Sequence, residues 1–431
     1  MKKSFYFAAL AVAVLSSCSS DPVVKPNAEV DNDLVPIELG VGTPLMTVTT
    51  RGTGTVGSTT AADNLWRYEH VRVLMTWIPD DVEEHSWGFT TRNEGDNEGD
   101  YYLFGNQFYC LPDESQTSES GGVALVPELK GNKVRYYPGR GSSNFFAYYV
   151  DDAIDPADTQ DPVYDSHDKA PAIHDTVFAA ENLSAKYVNF KMDGTQDIMA
   201  GMAPHDGKGF SARTARAGTH PHISMKHLLT RLTFKVVPGN QNAEKVKVKS
   251  ISVESPCEGK LTVAYNSNTP KADNELITWS KDEDTNVLKS DTFELKSYNT
   301  SGLWYDDVNK TKNSLGDLLP FDFETEFNWN SLTFPCDYKS VAKSIGHAMF
   351  VAPGQTNYPL LVVLDNNAQE AGFADSKMNL NIALDGGAPL EMGKSYEIII
   401  VVYGLSKIEV YATLTNWDVS DEDLILDDDN D

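Results

Sequence analysis

Cysteine is scarce in this chain: 4 in 431 residues, at Cys18, Cys110, Cys257 and Cys336. Beyond Cys18 an odd number is left, at separations that fit neither a zinc site nor a redox pair. A disulfide scaffold is therefore excluded, although one bridge among the three is open. Basic charge is also short. Lys plus Arg is 35 against 63 for Asp plus Glu, a net −28 at pH 7. Phosphate backbones and anionic lipid heads repel such a chain, so nucleic acid is no partner and basic residues cannot hold it to a membrane. After the N-terminus no apolar run approaches about 18 residues, the length of a membrane span; Ile398 to Val402 comes nearest and reads as a buried strand. Long amphipathic helices are missing as well: Asn313 to Leu319 supports one or two turns at most. Nor is there a Gly-x-Ser-x-Gly, a His-Glu-x-x-His or a phosphate-cradling loop. Asp and Glu are too numerous to single out a glycosidase pair. The expectation is a protein that is not an enzyme and carries no cofactor.

What is present begins at the N-terminus. Lys2 and Lys3 precede an uncharged run from Phe5 to Leu15, which ends at Leu15-Ser16-Ser17-Cys18. The charged start and short apolar core read as a secretory signal over residues 1–17, too short to span a bilayer. The small-residue site ending in cysteine resembles the lipobox of bacterial lipoproteins. That resemblance implies cleavage before Cys18 and acylation of its thiol and new amine, and several acyl chains at about 0.8 kcal/mol per buried methylene anchor a protein to a membrane. The alternative is an ordinary signal peptide with an incidental cysteine. Residues 19–34 are polar and read as a tether. Ile37, Leu39 and Val41 then alternate as in a strand, broken at Gly42-Thr43-Pro44, with Leu45, Met46 and Val48 after it. Arg51-Gly52 follows, leading into a Gly/Thr/Ser stretch that reads as an exposed loop.

The body carries strand patterns almost throughout. They fall at 71–78, 133–138, 144–150, 187–192, 197–201, 223–237, 246–253, 260–263, 348–353, 358–364, 378–384, 397–403 and 408–414. Tyr101–Phe104 and Gln107–Cys110 flank Gly105-Asn106 as a hairpin. Many short strands with turns between them predict an all-β fold of sandwiches or barrels. A shift to Gly, Ser, Thr, Ala and Arg over 206–219 places a domain boundary there, which gives domains at 52–215 and 216–431.

Several groups invite a site. His220 and His222, with His205 and His227, have strand spacing for a metal, but no Cys or carboxylate nearby completes a tetrahedral set; loop histidines are the simpler expectation, and no metal is assigned. Asn93 to Asp100 spaces carboxylates with glycines, yet fits no EF-hand order, and a solvated hairpin loop is simpler. Tyr101-Tyr102, Phe145-Phe146 and Tyr148-Tyr149 offer surfaces for sugars, although at strand spacing such residues are more often half core. Trp417 reads as a packing anchor.

The ordered set of a lipobox at Cys18, Thr50-Arg51 before the body, "FFAYY", "ISMKHLLTRLTFKV", "MGKSYEIIIVVYG" and "IEVYATLTNWDV" resembles the fimbrillin superfamily of Bacteroidetes surface lipoproteins, FimA-like and Mfa-like. The likeness extends over nearly the whole chain. It implies two tandem transthyretin-like β-sandwich domains and a lipidated precursor carried to the outer membrane surface. A trypsin-like, Arg-specific protease would cut between Arg51 and Gly52, removing segment 18–51 with a strand lying within 35–50. Other fimbrial subunits would then be partners through strand exchange, with a host or bacterial surface receptor as a further partner. The donor strand would lie within Ile408 to Leu426, with Ile408, Val410, Ala412, Leu414, Leu424 and Leu426 as its apolar candidates. The first four are alternatively the last strand of the domain itself. A lipid-anchored glycan-binding lipoprotein is the second expectation.

Overall fold

The computed structural model describes residues 35–42, 71–78, 108–110, 122–127, 136–137, 141–150, 174–178, 183–203, 209–265, 271–298, 305–306, 311–312, 315–366, 375–384 and 386–415. Its strands, in chain order, are β1 (Gly40–Gly42), β2 (Arg72–Ile78), β3 (Phe108–Cys110), β4 (Gly122–Pro127), β5 (Ser142–Tyr149), β6 (His174–Phe178), β7 (Leu183–Lys191), β8 (Met199–Met202), β9 (His222–His227), β10 (Thr230–Pro238), β11 (Val246–Pro256), β12 (Glu258–Ala264), β13 (Ile277–Trp279) and β14 (Ser290–Glu294). Short strands follow at β15 (Lys296–Tyr298), β16 (Tyr305–Asp306), β17 (Thr311–Lys312), β18 (Leu315–Asp317), β19 (Phe321–Asp322) and β20 (Lys343–Ser344). The last five are β21 (Met349–Val351), β22 (Tyr358–Asn366), β23 (Ser376–Ile382), β24 (Ser395–Val402) and β25 (Ile408–Thr415). The described helices are single turns: α1 (Ala212–Arg216), α2 (Phe323–Glu326) and α3 (Tyr338–Val341). The fold is all-β.

Four sheets supply the core. A seven-stranded sheet runs β2-β5-β8-β9-β1-β4-β3, and a four-stranded one runs β13-β12-β7-β6. The next two run β20-β10-β24-β25, with β21 also on β10, and β14-β11-β22-β23, with β19 also on β11. Alternation along β10 explains its place: Leu232, Phe234 and Val236 are buried, while Thr233 and Lys235 are half-exposed. The apolar run of β24 is buried on both faces because it is central, parallel to β10 and antiparallel to β25. One apolar cluster joins Leu74, Phe146 and Val188 to Leu228, Leu229, Ile251, Leu360 and Ile398.

β5 also departs from simple alternation. Phe146 and Tyr148 enter the large cluster, whereas Phe145, Ala147 and Tyr149 enter a second one on the opposite face of the sheet. All five are buried, so the seven-stranded sheet is covered on both sides. The second cover is built from Val35, Ile37, Leu39, Tyr137, Phe210 and Ala215. Phe145 meets Tyr137 and Phe210 edge-on, at ring-centroid distances of 6.1 and 5.9 Å. Phe210 is clipped to Ser143 by two backbone hydrogen bonds of 2.7 Å. Ser211 and Thr214 then close a reciprocal cap on α1, which drops Ala215 into the cluster.

One expectation changes. Leu315–Asp317, expected as helical turn, is a strand paired with β15; with Lys296, Ser297 and Tyr298 opposite, ladder bonds outweigh a weak helical pattern. Phe108–Cys110 pairs with β4, while the other arm of its expected hairpin lies outside the described residues. Cys257 and Cys336 are free, and both are buried. Chain also crosses the composition shift at 206–219 more than once: β9 completes the seven-stranded sheet, and β12 pairs with β7. The crossing is held by a turn at Asp193–Gln196. Gly194 has φ +93, and a Cβ there would meet the Phe293 ring at 2.8 Å. Its carbonyl accepts the Phe350 N–H at 2.8 Å. Only glycine combines that φ with so close an approach.

Candidate functional site

Residues 35–42 are the segment on which a functional reading turns. Val35, Ile37 and Leu39 are 9, 6 and 6% exposed, whereas Pro36 and Glu38 between them are exposed. That is the period of two expected for an extended chain with one face in a core. The Tyr137 N–H donates to the Val35 carbonyl at 3.0 Å. β1 then enters the sheet between two strands, parallel to β9 and antiparallel to β4, with Gly40 opposite His222 and Ala124. The segment therefore lies inside the fold and is not laid on an edge. Burying its three branched side chains is worth roughly 5–9 kcal/mol in total. Glu38 lies 3.6 Å from His220 Nδ1 across the outer rim. Burial, and secondarily Glu38, pushes the Tyr137 hydroxyl well above the ordinary tyrosine range. Burial likewise holds the His222 imidazole low.

At the other end, β25 pairs with β24 over its full length, Ile408 opposite Val402 and Thr415 opposite Ser395. Of the proposed donor residues, Ile408 is buried, Val410 and Ala412 are half-buried against the core, and Leu414 is 57% exposed. β25 is the last strand of its sheet. On its outer face Tyr403 and Tyr411 donate to Glu409 at 2.9 and 3.0 Å, and the Tyr338 hydroxyl lies 2.9 Å from that of Tyr403. Cys18, Arg51, Gly52, Leu424 and Leu426 lie outside the described residues. So do His205, Tyr101, Tyr102, Trp417 and the Asn93–Asp100 stretch.

The remaining sequence candidates are accounted for differently. Phe145, Phe146, Tyr148 and Tyr149 are buried and present no ring to a sugar. His220 and His222 flank the inserted segment, whereas His227 is buried elsewhere. Among the described residues no group of three or more His, Cys, Asp or Glu side chains is arranged to hold a metal ion.

Sequence reasoning missed the partner of His227. Its Nδ1 bonds Asp197, and the two side chains are 1 and 0% exposed. Asp197 also accepts the Ile198 N–H at 2.8 Å, and buried Arg231 adds positive charge. Burial pushes the Asp197 carboxyl up despite these partners. This pair sits where β8 and β9 of one sheet meet β10 of another. The separation of 30 positions between Asp197 and His227 hides it from any local motif.

Close by, burial drives the His347 imidazole down to about 3, against the pull of the Ala348 carbonyl on its Nδ1 and with a smaller push from Arg231. The folded value lies below the ordinary 6.5. The stability due to neutral His347 is therefore complete above pH 6.5 and is lost as pH falls toward 3. The loss at pH 5 is about 2 kcal/mol. Asp197, shifted up, has the opposite sign: its contribution is present at low pH and fades as pH rises above about 4. Urea midpoints at pH 7 and pH 5 test this. His347→Gln is expected to flatten the difference by about 2 kcal/mol, and an unchanged slope would remove His347 as its source.

No protein-family model and no curated protein matches the chain. Among solved structures, a fimbrial protein from Bacteroides vulgatus is 13% identical, covering 89% of this chain and 99% of its own, at a TM-score of 0.41. The tip fimbrial protein Mfa3 from Porphyromonas gingivalis, with C-terminal truncation, is 12% identical. It covers 89% of this chain and 100% of its own, at a TM-score of 0.29.

Proposed function

We propose that the chain is a structural subunit or adhesin of cell-surface fimbriae, with no catalytic role. In this reading it is made as an outer-membrane lipoprotein precursor acylated at Cys18. An Arg-specific, trypsin-like protease cuts between Arg51 and Gly52. Subunits then join by strand exchange, and a surface receptor is the further partner. The two β-sandwich halves divide near residues 215–216, with β12 and β13 returning across that line.

One observation carries the reading. The segment inserted between β9 and β4 is N-terminal to Arg51, so a single cut converts a covalent strand into a removable one. Its loss would expose the faces that Val35, Ile37 and Leu39 cover and leave backbone groups of β9 and β4 unpaired. A foreign strand satisfies both needs at once. The donor belongs within Ile408 to Leu426. Glycan capture has less support, because the aromatic pairs offered for it at 145–149 are core residues.

The test is the N-terminal mass of the protein taken from the surface of cells that make it. A start at Gly52 is expected. An acylated Cys18 still joined through Arg51 to the body would overturn maturation by cleavage.

A further inference from the structure

The hairpin of β24 and β25 gathers three tyrosines around one carboxylate. Lys407, Glu409 and Tyr411 alternate along the chain, so they share one face of the sheet. Tyr403, just after β24, is tied back to them by its N–H on the Lys407 carbonyl at 2.9 Å. The Tyr403 and Tyr411 hydroxyls both donate to Glu409 Oε2. Tyr338 comes from α3, and its ring lies 5.8 Å from that of Tyr411, tilted by 34°. Tyr338 and Tyr403 also pack on Val237, Ile399 and Val401, which fixes their positions. Tyr411 stays 45% exposed.

An ammonium already sits in this frame. Lys407 Nζ is 2.9 Å from Glu409 Oε1 and 4.3 Å from the centre of the Tyr403 ring. Aromatic faces attract a cation through their quadrupole, and the carboxylate beside them adds a charged hydrogen bond. The Lys407 side chain is 59% exposed, so it can turn to solvent and yield its place. Its bond to Glu409 first, and that of Tyr403 second, hold the Glu409 carboxyl below the ordinary glutamate range.

Beside the frame runs a free edge. Among the described residues β25 pairs with β24 alone. From Val410 to Thr415 it has no charge and no proline to guard that edge. An extended segment can add there through backbone hydrogen bonds, with alternate side chains reaching the frame. Charge decides which segment. At −28 the chain attracts basic partners and repels copies of itself. Its own residues 417–431 hold eight carboxylates and no base, so they supply no cation.

We propose that Tyr338, Tyr403, Tyr411 and Glu409 form a cation-binding frame for a lysine of a basic, extended segment on another protein, which lies along the free edge of β25. Lys407 is its internal stand-in. The proposal rests on the surface-receptor part of the reading above and gives that receptor a chemistry. It needs neither the cut at Arg51 nor strand exchange, so the uncut chain tests it.

The probe is a fluorescent ten-residue peptide alternating Thr and Lys, followed by anisotropy beside the same peptide with Gln for Lys. Lys407→Ala is expected to tighten the Lys peptide about threefold, because it empties the frame. Lys281→Ala removes an exposed lysine elsewhere, changes the net charge equally, and should leave the affinity nearly unchanged. Glu409→Gln should weaken binding about tenfold or more, and Tyr411→Ala about threefold, each at an unchanged melting temperature. Amide exchange along Glu409–Thr415 should slow when the peptide binds. Equal tightening by both lysine variants, or no weakening by Glu409→Gln, would reduce the binding to net charge and overturn the frame. Equal affinity for the Gln peptide would overturn a cationic occupant. Binding without slowed exchange in β25 would overturn the edge as its seat.

Discussion

A chain that begins at Gly52 is expected to be unable to rest as a stable monomer. It lacks Val35, Ile37 and Leu39, which are nearly fully buried in the cover of the seven-stranded sheet. It also lacks the ladder partners of β9 and β4 at Gly40–Gly42. The apolar term alone is roughly 5–9 kcal/mol, the size of the whole stability margin of many domains. Two outcomes relieve the deficit: polymers in which another copy fills the groove, or, at high dilution, a protein that melts far below the chain starting at residue 18. Size-exclusion chromatography with a concentration series, paired with thermal melts, separates them. Adding back a peptide of residues 35–50 should restore the melt and suppress the polymers. A monomer with an unchanged melting temperature would mean that the segment is dispensable to the fold, and the proposed assembly route would fall with it. Ile37→Asp in the uncut chain asks the same question from inside: a carboxylate in that cluster costs several kcal/mol and should mimic the truncation in part.

Asp197→Ala is the second large effect. It deletes the acceptor of the His227 Nδ1 bond and of the Ile198 N–H, and it removes the negative charge near buried Arg231. Removing the carboxylate leaves two buried partners, the His227 Nδ1 and the Ile198 N–H, without their hydrogen bond, at roughly 1–3 kcal/mol each. A drop of that size in urea-derived stability is expected. Asp197→Asn should lose less, since its carbonyl still accepts from Ile198. A location-specific readout is also available. Asp197 sits where β8 and β9 meet β10, so amide exchange should speed up first at Leu228, Arg231 and Phe350, whose N–H groups bond Ile198, Lys394 and Gly194. Loss below about 1 kcal/mol would show that the pair contributes little to folding.

Much of the architecture was legible from periodicity. The alternation at Leu232, Phe234 and Val236, and the uninterrupted apolar run in β24, are direct consequences of one-sided and two-sided burial. The segment at Ile37 and Leu39 was visible for the same reason. Strands such as Ser290–Glu294, with Phe293 as their one buried residue, left no pattern to detect. Leu315–Asp317 was taken for a helical turn because three residues carry too little periodicity to separate the two states. The aromatic run at 144–150 read as a buried strand and is one, but alternation could not tell which distant chain covers its second face.

By itself, then, the sequence determined the all-β class, the acidity, the absence of known catalytic motifs and which residues of the clearly alternating strands face inward. These depend on local composition and on a period of two. Only the tertiary structure decided what lies on the second face of the seven-stranded sheet, that residues 35–42 enter between β9 and β4, and that Asp197 meets His227. Those are contacts between residues tens to nearly two hundred positions apart. They are selected by the burial and pairing of groups that carry no record of one another along the chain.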